Sequence, residues 1–183
     1  MTKMKVPVKT DYHIPVLFDE AINGLAIEPD GVYVDATYGG GGHARGILDK
    51  LGPNGRLVAF DKDIDAEINK IDDERFILVN HDYSFIKNFL RYLGLMPVDG
   101  IFADLGISSY QIDTAERGFT YSTNAPLDMR MDSEARVTAA QVLNTYSEAE
   151  LQRIFGQYGE VKNARELASA VTKQRKAKPF AVS

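Results

Sequence analysis

The sequence predicts an open α/β fold built on a parallel sheet, followed by a purely helical region. Three observations predict it. Short apolar runs alternate with helix-like stretches from Leu17 to about Leu105. A block of four glycines, Gly39 to Gly42, follows the first run almost directly. Each of the four runs is followed closely by an aspartate: Asp35, Asp61, Asp82 and Asp104. Apolar runs without in-and-out alternation belong to strands covered on both faces, and strands separated by helices pair in parallel.

The first strand is expected at Val32–Val34, between Gly31 and the glycine block. A helix should start near His43 and stop at Gly52–Pro53, a pair that cannot continue it. Leu57–Phe60 reads as the second strand, with a short helix after it around Ile64–Asn69. Phe76–Val79 is the third strand. Ser84 is expected to cap a helix over Phe85–Leu93, where Phe85, Phe89, Leu90 and Leu93 share one face. Gly100–Ala103 is the fourth strand.

After Asp104 the pattern changes. Residues 105–135 are polar and turn-rich without a clear period. Thr138 suits the N-cap of a helix reaching Leu143. Ser147 and Glu150 make a capping-box pair before a helix ending near Gly156–Gly159. Val161, Ala164, Leu167, Ala168 and Val171 form the apolar stripe of a last helix. The expected division is therefore 1–110 for the α/β domain and 111–183 for a helical one. Doubly wound sheets of this type usually have six or seven strands, so further strands are expected beyond Ser183.

The bulk numbers exclude several classes. There are no cysteines among the 183 residues, which removes disulfide scaffolds and thiolate metal sites and suits a reducing cytoplasm. No apolar stretch approaches the roughly 18 residues of a membrane helix. The net charge of −5 argues mildly against a nucleic-acid partner, but the distribution does not. Residues 1–160 hold 15 Lys and Arg against 25 Asp and Glu, whereas residues 161–183 hold 6 against 1. The basic residues are Lys162, Arg165, Lys173, Arg175, Lys176 and Lys178. A local basic face binds phosphate even on an acidic protein, although the same run also suits a solvated helix face.

The glycine block carries the first chemical signal. Gly39, Gly41 and Ala44 satisfy the G-x-G-x-x-A spacing between a strand and a helix. Glycines there let the chain turn tightly and let a ligand approach main-chain N–H groups. Nucleotide cofactors of several kinds use such a loop. Asp35 separates them. A carboxylate at the end of the first strand would repel the pyrophosphate of NAD, but it attracts the ammonium and sulfonium of S-adenosylmethionine.

Ligands on open α/β sheets bind beyond the carboxyl ends of the strands. Asp61 lies 22 residues after Gly39, where an acidic side chain meets ribose hydroxyls, while Asp63 suits a helix cap. Asp82 and Tyr83 suit the adenine, the one by hydrogen bonding and the other by packing. Asp104, in Asp104-Leu105-Gly106-Ile107-Ser108-Ser109, is nearest the expected reaction centre. His13, His43 and His81 show no metal-ligand spacing, and no metal is expected.

Six segments together resemble one family. They are Tyr12–Leu17, Val34–His43, Asp61–Asp63, Asp104–Gln111, Glu116–Phe119 and Pro126–Asp132. In this order they resemble the bacterial 16S ribosomal RNA cytidine N4-methyltransferases, the RsmH or MraW family. Glu116–Phe119 and Pro126–Asp132 have no generic cofactor-binding explanation and are the most specific matches. The resemblance implies a Rossmann-like S-adenosylmethionine-dependent methyltransferase sheet, incomplete in this chain, interrupted by a helical domain for the RNA substrate. It implies methylation of the exocyclic N4 of a cytidine in the decoding region of 16S rRNA within the small ribosomal subunit. The cofactor residues it carries over are Gly41, Gly42, His43, Asp61, Tyr83, Asp104 and Gln111. Asp104 and Ser108 become candidates for the chemistry, and Lys173, Arg175, Lys176 and Lys178 for RNA phosphates. Two alternatives stay open: a catalytically silent cofactor- or RNA-binding module, and an NAD oxidoreductase, which Asp35 disfavours.

Overall fold

A computed structural model describes residues 15–182. His13 and the start of the Tyr12–Leu17 segment lie outside the described residues. The chain packs as two compact units, 1–104 and 105–183.

The first unit holds α1 (Phe18–Gly24), β1 (Val32–Asp35), α2 (Gly42–Lys50), β2 (Arg56–Asp61), β3 (Phe76–Asn80), α3 (Ile86–Leu93) and β4 (Gly100–Phe102). All strand pairs are parallel and the order is β3-β2-β1-β4. The chain therefore winds outward from β1 to β3 and then crosses to the other side of β1. That reversal between β1 and β4 is the crevice where open sheets of this kind take ligands.

The apolar runs are continuous because both faces of the sheet are buried. On one face Tyr33, Leu57, Ala59 and Phe76 pack with Ala44, Ile47 and Leu48 of α2 and Ile22 of α1. On the other, Val34, Val58, Phe60 and Val79 pack against Leu90 of α3, with Ile86 and Phe89 beside it. The alternation of Tyr33 with Val34 and of Leu57 with Val58 is the two-residue strand period dividing side chains between the two layers.

One helix start differs from the expectation. Ser84 does not cap the helix. Asp82 does, its Oδ1 accepting from the Ser84 N–H at 2.9 Å over a 3₁₀ turn at Tyr83–Phe85 that runs into α3. A carboxylate two residues ahead of an N–H is a better acceptor than the hydroxyl beside it. The expected short helix Ile64–Asn69 is a 3₁₀ helix, and Asp63 caps it from the Asp65 N–H.

The second unit is helical: α4 (Ser109–Asp113), α5 (Ala139–Thr145), α6 (Glu148–Gln157) and α7 (Ala164–Ala177). Thr138 with Gln141 and Ser147 with Glu150 form reciprocal capping boxes. Leu151 of α6 and Ala168 and Val171 of α7 make the core, covered by Val142, Leu143, Tyr146, Phe155 and Phe180.

Residues 105–135, which show no period, are ordered by backbone hydrogen bonds between distant residues and by side-chain to backbone bonds. The Met129 N–H donates to Arg117 O at 2.9 Å. The buried Arg117 guanidinium donates to the carbonyls of Arg130 and Met131 at 2.9 and 3.3 Å. Gly118 has φ +74°, and a Cβ there would meet Pro126 O at 2.4 Å. The Glu116–Phe119 and Pro126–Asp132 segments are thus two halves of one clasp.

Candidate cofactor site at the carboxyl end of the sheet

The carboxyl ends of the four strands bring together Asp35, the Gly39–His43 loop, Asp61, Asp82, Tyr83 and Asp104. The loop conformation follows from its glycines. Gly39 and Gly41 have φ +52° and +75°, a region costly for residues with a side chain. A Cβ on Gly41 would meet the Tyr38 Oη at 2.8 Å. Tyr38 is itself buried and donates to Asn69 O at 2.5 Å. Arg45 braces the loop from α2 by donating to Gly40 O at 3.0 Å.

Asp61 ties the loop to β2. Its Oδ2 accepts from the Gly39 N–H at 2.8 Å and its Oδ1 from the Asp63 N–H at 2.9 Å. Burial raises its pKa, and these two N–H donors oppose the shift. Asn80 at the end of β3 steadies the same turn, donating to the carbonyls of Asp61 and Asp63, each at 3.1 Å.

Asp35 is the least ordinary group in the crevice. It is 1% exposed. Its Oδ1 accepts from the Thr37 N–H at 3.0 Å, but its Oδ2 has no hydrogen-bond partner among the described residues. Burial pushes its pKa up to about 7, against the Thr37 bond and with the help of the negative charges of Asp61 and Asp104. A carboxylate kept from water without a cation is the arrangement that raises an acid's pKa most.

Thr37 links the two strands on either side of the reversal. Besides holding Asp35, it accepts the Asp104 N–H on its Oγ1 at 2.7 Å. Sequence reasoning missed both Thr37 and Asn80. A Thr two residues after a strand-end Asp is a recognisable Asx-turn pattern, but its grip on β4 depends on a partner 67 residues away.

The His43 imidazole lies buried between aromatic rings, 5.8 Å from Phe18 and 4.3 Å from Phe102, centroid to centroid. Its Nε2 has no partner among the described residues. Burial lowers its pKa, and the charge of Asp104 opposes that. Tyr83 and Asp104 are exposed. Asp82 is held below the usual carboxylate range by its Ser84 bonds, with Lys62 Nζ 3.6 Å away adding to the effect.

The remaining expected site residues lie in the second unit. Ser108 and Gln111 form the capping box of α4: the Gln111 N–H donates to Ser108 Oγ at 3.2 Å and the Ser108 N–H to Gln111 Oε1 at 3.0 Å. Both side chains are therefore engaged in starting that helix. Lys173 and Lys176 are exposed on α7, and Lys178 follows it. Arg175 is different. Its Nη1 donates to the Leu143 and Tyr146 carbonyls at 2.8 and 2.6 Å, closing the end of α5.

A parallel sheet of order β3-β2-β1-β4 with helices on both faces and a glycine loop after β1 is a Rossmann-like fold of the doubly wound class. The family follows from comparison with known proteins. Residues 10–183 match the model of the MraW methylase family, and the chain belongs to that family. It is 52% identical to the ribosomal RNA small subunit methyltransferase H of Flavobacterium johnsoniae over 170 residues, 93% of this chain and 56% of that protein. It is 47% identical to the protein of the same name from Christiangramia forsetii over 94% of this chain and 57% of that protein. For the Bacteroides thetaiotaomicron protein of that name the identity is 51% over 90% and 54%. The chain spans just over half the length of these relatives.

Proposed function

We propose that this chain carries the cofactor-binding part of an enzyme that methylates the exocyclic N4 of a cytidine in the decoding region of 16S rRNA, cytidine 1402 in the family, using S-adenosylmethionine in the cytoplasm. The observation that carries this reading is Asp35, a buried carboxyl at the β1–β4 reversal with one oxygen unpartnered among the described residues and acidic groups at the ends of the strands on either side. Such a crevice is hostile to a pyrophosphate and suited to a cation. S-adenosylmethionine carries two cationic groups and no phosphate, and when bound it supplies an electrophilic methyl on sulfur.

The residues divide the work. Gly42 and His43 offer backbone N–H groups at the start of α2, whereas the Gly41 N–H is already donated to Tyr38 O at 2.8 Å, so Gly41 contributes through the close backbone approach it permits. Asp61 keeps lone pairs for ribose hydroxyls beyond the two it gives to Gly39 and Asp63. Tyr83 offers an exposed ring to the adenine, with Asp82 beside it. Gln111 is a further cofactor residue by the family resemblance. Cytidine N4 is a weak nucleophile because its lone pair is delocalised into the ring, so alignment with the methyl matters more than a strong base. Asp104 accepts the amine hydrogens as charge develops on nitrogen, and Ser108 assists. The target base leaves its stack to reach the site. Lys173, Lys176 and Lys178, with the remaining donors of Arg175, hold RNA phosphates.

The test is transfer of an isotopic methyl group from S-adenosylmethionine to small ribosomal subunits that lack the mark. Label on a cytidine N4 supports the reading, and absence of label, or label on another atom, contradicts it. The same assay separates this reading from a second one, a binding module without catalysis. It expects cofactor binding without transfer.

A further inference from the structure

Asp35 sits where three carboxylates converge, with no compensating cation inside the crevice among the described residues. Asp61 follows β2 and Asp104 follows β4, and both raise the cost of ionising Asp35. The other titratable groups at this end do not relieve it. Lys62 is drawn toward Asp82, the Arg45 guanidinium is spent on loop carbonyls, Tyr38 is held neutral with its pKa pushed up to about 12, and burial disfavours the charged form of His43. Thr37 satisfies only one of the Asp35 oxygens. The ligand-free site therefore has every physical reason to hold a proton on Asp35 near neutral pH.

We propose that the site exchanges this proton for the ligand's positive charge: Asp35 is protonated when the crevice is empty and ionised when a cationic nucleoside ligand occupies it. The inference rests on the reading of this crevice as the S-adenosylmethionine site. It requires no direct contact, because a positive charge within a few ångströms in a water-poor pocket stabilises the carboxylate strongly. The O–H bond of the Asp35 carboxyl breaks, the electron pair stays on oxygen, and the proton leaves to solvent. Binding thus becomes proton-linked. With the Asp35 pKa near 7, binding at pH 6 releases about nine-tenths of a proton and at pH 8 about one-tenth. The affinity is correspondingly about tenfold weaker at pH 6 than at pH 8.

The experiment is calorimetric titration of the 183-residue chain with S-adenosylmethionine at both pH values, in pairs of buffers of different ionisation enthalpy. Buffer-dependent heat at pH 6 that vanishes in Asp35→Asn is the expected result. A neutral ligand, 5′-methylthioadenosine, is expected to bind without releasing a proton. Tight binding at pH 6 with no proton release overturns the inference alone. The same release in Asp35→Asn, or with the neutral ligand, also overturns it. No binding at either pH overturns both it and the cofactor reading. The wild-type buffer dependence stands as a test even if the variant fails to fold.

Discussion

The strand-end crevice of the first unit and the Arg117–Arg130 clasp of the second treat charge in opposite ways. In the clasp, Arg117 is buried but spends its guanidinium on two carbonyls, and Asp128 grips Arg130 through two oxygens at 2.7 and 2.8 Å. Arg130 in turn reaches Ala135 O at 2.8 Å. In the crevice, Asp35 is more deeply buried than Arg117 and leaves an oxygen without a donor, facing further negative charge. Folding stability favours the first arrangement and is reduced by the second. Buried charge paired within the chain holds a loop in place, whereas a buried acid with one oxygen unsatisfied has its pKa raised, a perturbation that marks a candidate site.

The largest expected effect breaks the clasp. Gly118→Ala forces a side chain into left-handed backbone at φ +74° and against Pro126 O. It should destabilise the helical unit by about 3 kcal/mol or more, read as an earlier thermal transition. By contrast Gly40→Ala, with nothing within 4 Å of the new Cβ, should change stability little.

The next effect has the opposite sign. The folded-state pKa of Asp35 is raised to about 7 from an ordinary 3.8, so its contribution to stability is fully present below 3.8 and is lost as pH rises through 7. Asp35→Asn should therefore stabilise the ligand-free chain at pH 8, on the order of 2–4 kcal/mol, and make little difference at pH 4. Urea unfolding at the two pH values checks this. A uniform loss of stability at both would mean that the carboxyl is a structural partner like Asp128.

The smallest effect on stability belongs to α7. Lys173→Gln and Lys176→Gln should leave the unfolding midpoint within about 0.5 kcal/mol of the parent. Each should reduce the salt dependence of RNA binding by about one unit of slope, measured by filter binding across salt concentrations. Arg175→Gln should instead destabilise the packing of α5 on α7, because its Nη1 holds two α5-end carbonyls.

What the sequence made legible was what is local. The four strands, the Thr138 cap, the Ser147–Glu150 capping box and the glycine loop follow from periods, spacings and hydrogen-bonding side chains within a few residues of one another. The aspartates after the strands were legible for the same reason. What was hidden depends on partners far along the chain. Thr37 matters because β4 returns beside β1, and Arg117 because residues 126–131 fold back onto it. Arg175 reads as a phosphate-binding residue by charge alone, and only the packing of α7 on the end of α5 reveals its two carbonyl partners. The choice of Asp82 over Ser84 as a cap turned on which of two nearby acceptors is the stronger.

On the proposed reading, Asp35 suits this crevice to a cationic nucleoside cofactor. Equilibrium binding of S-adenosylmethionine and of NADH to the same chain at pH 8 tests it most directly. Saturable binding of S-adenosylmethionine, weakened at least tenfold in Asp35→Lys, and no saturable binding of NADH are the expected results. Binding of NADH without S-adenosylmethionine, or equal binding of S-adenosylmethionine to the parent and to Asp35→Lys, would contradict it.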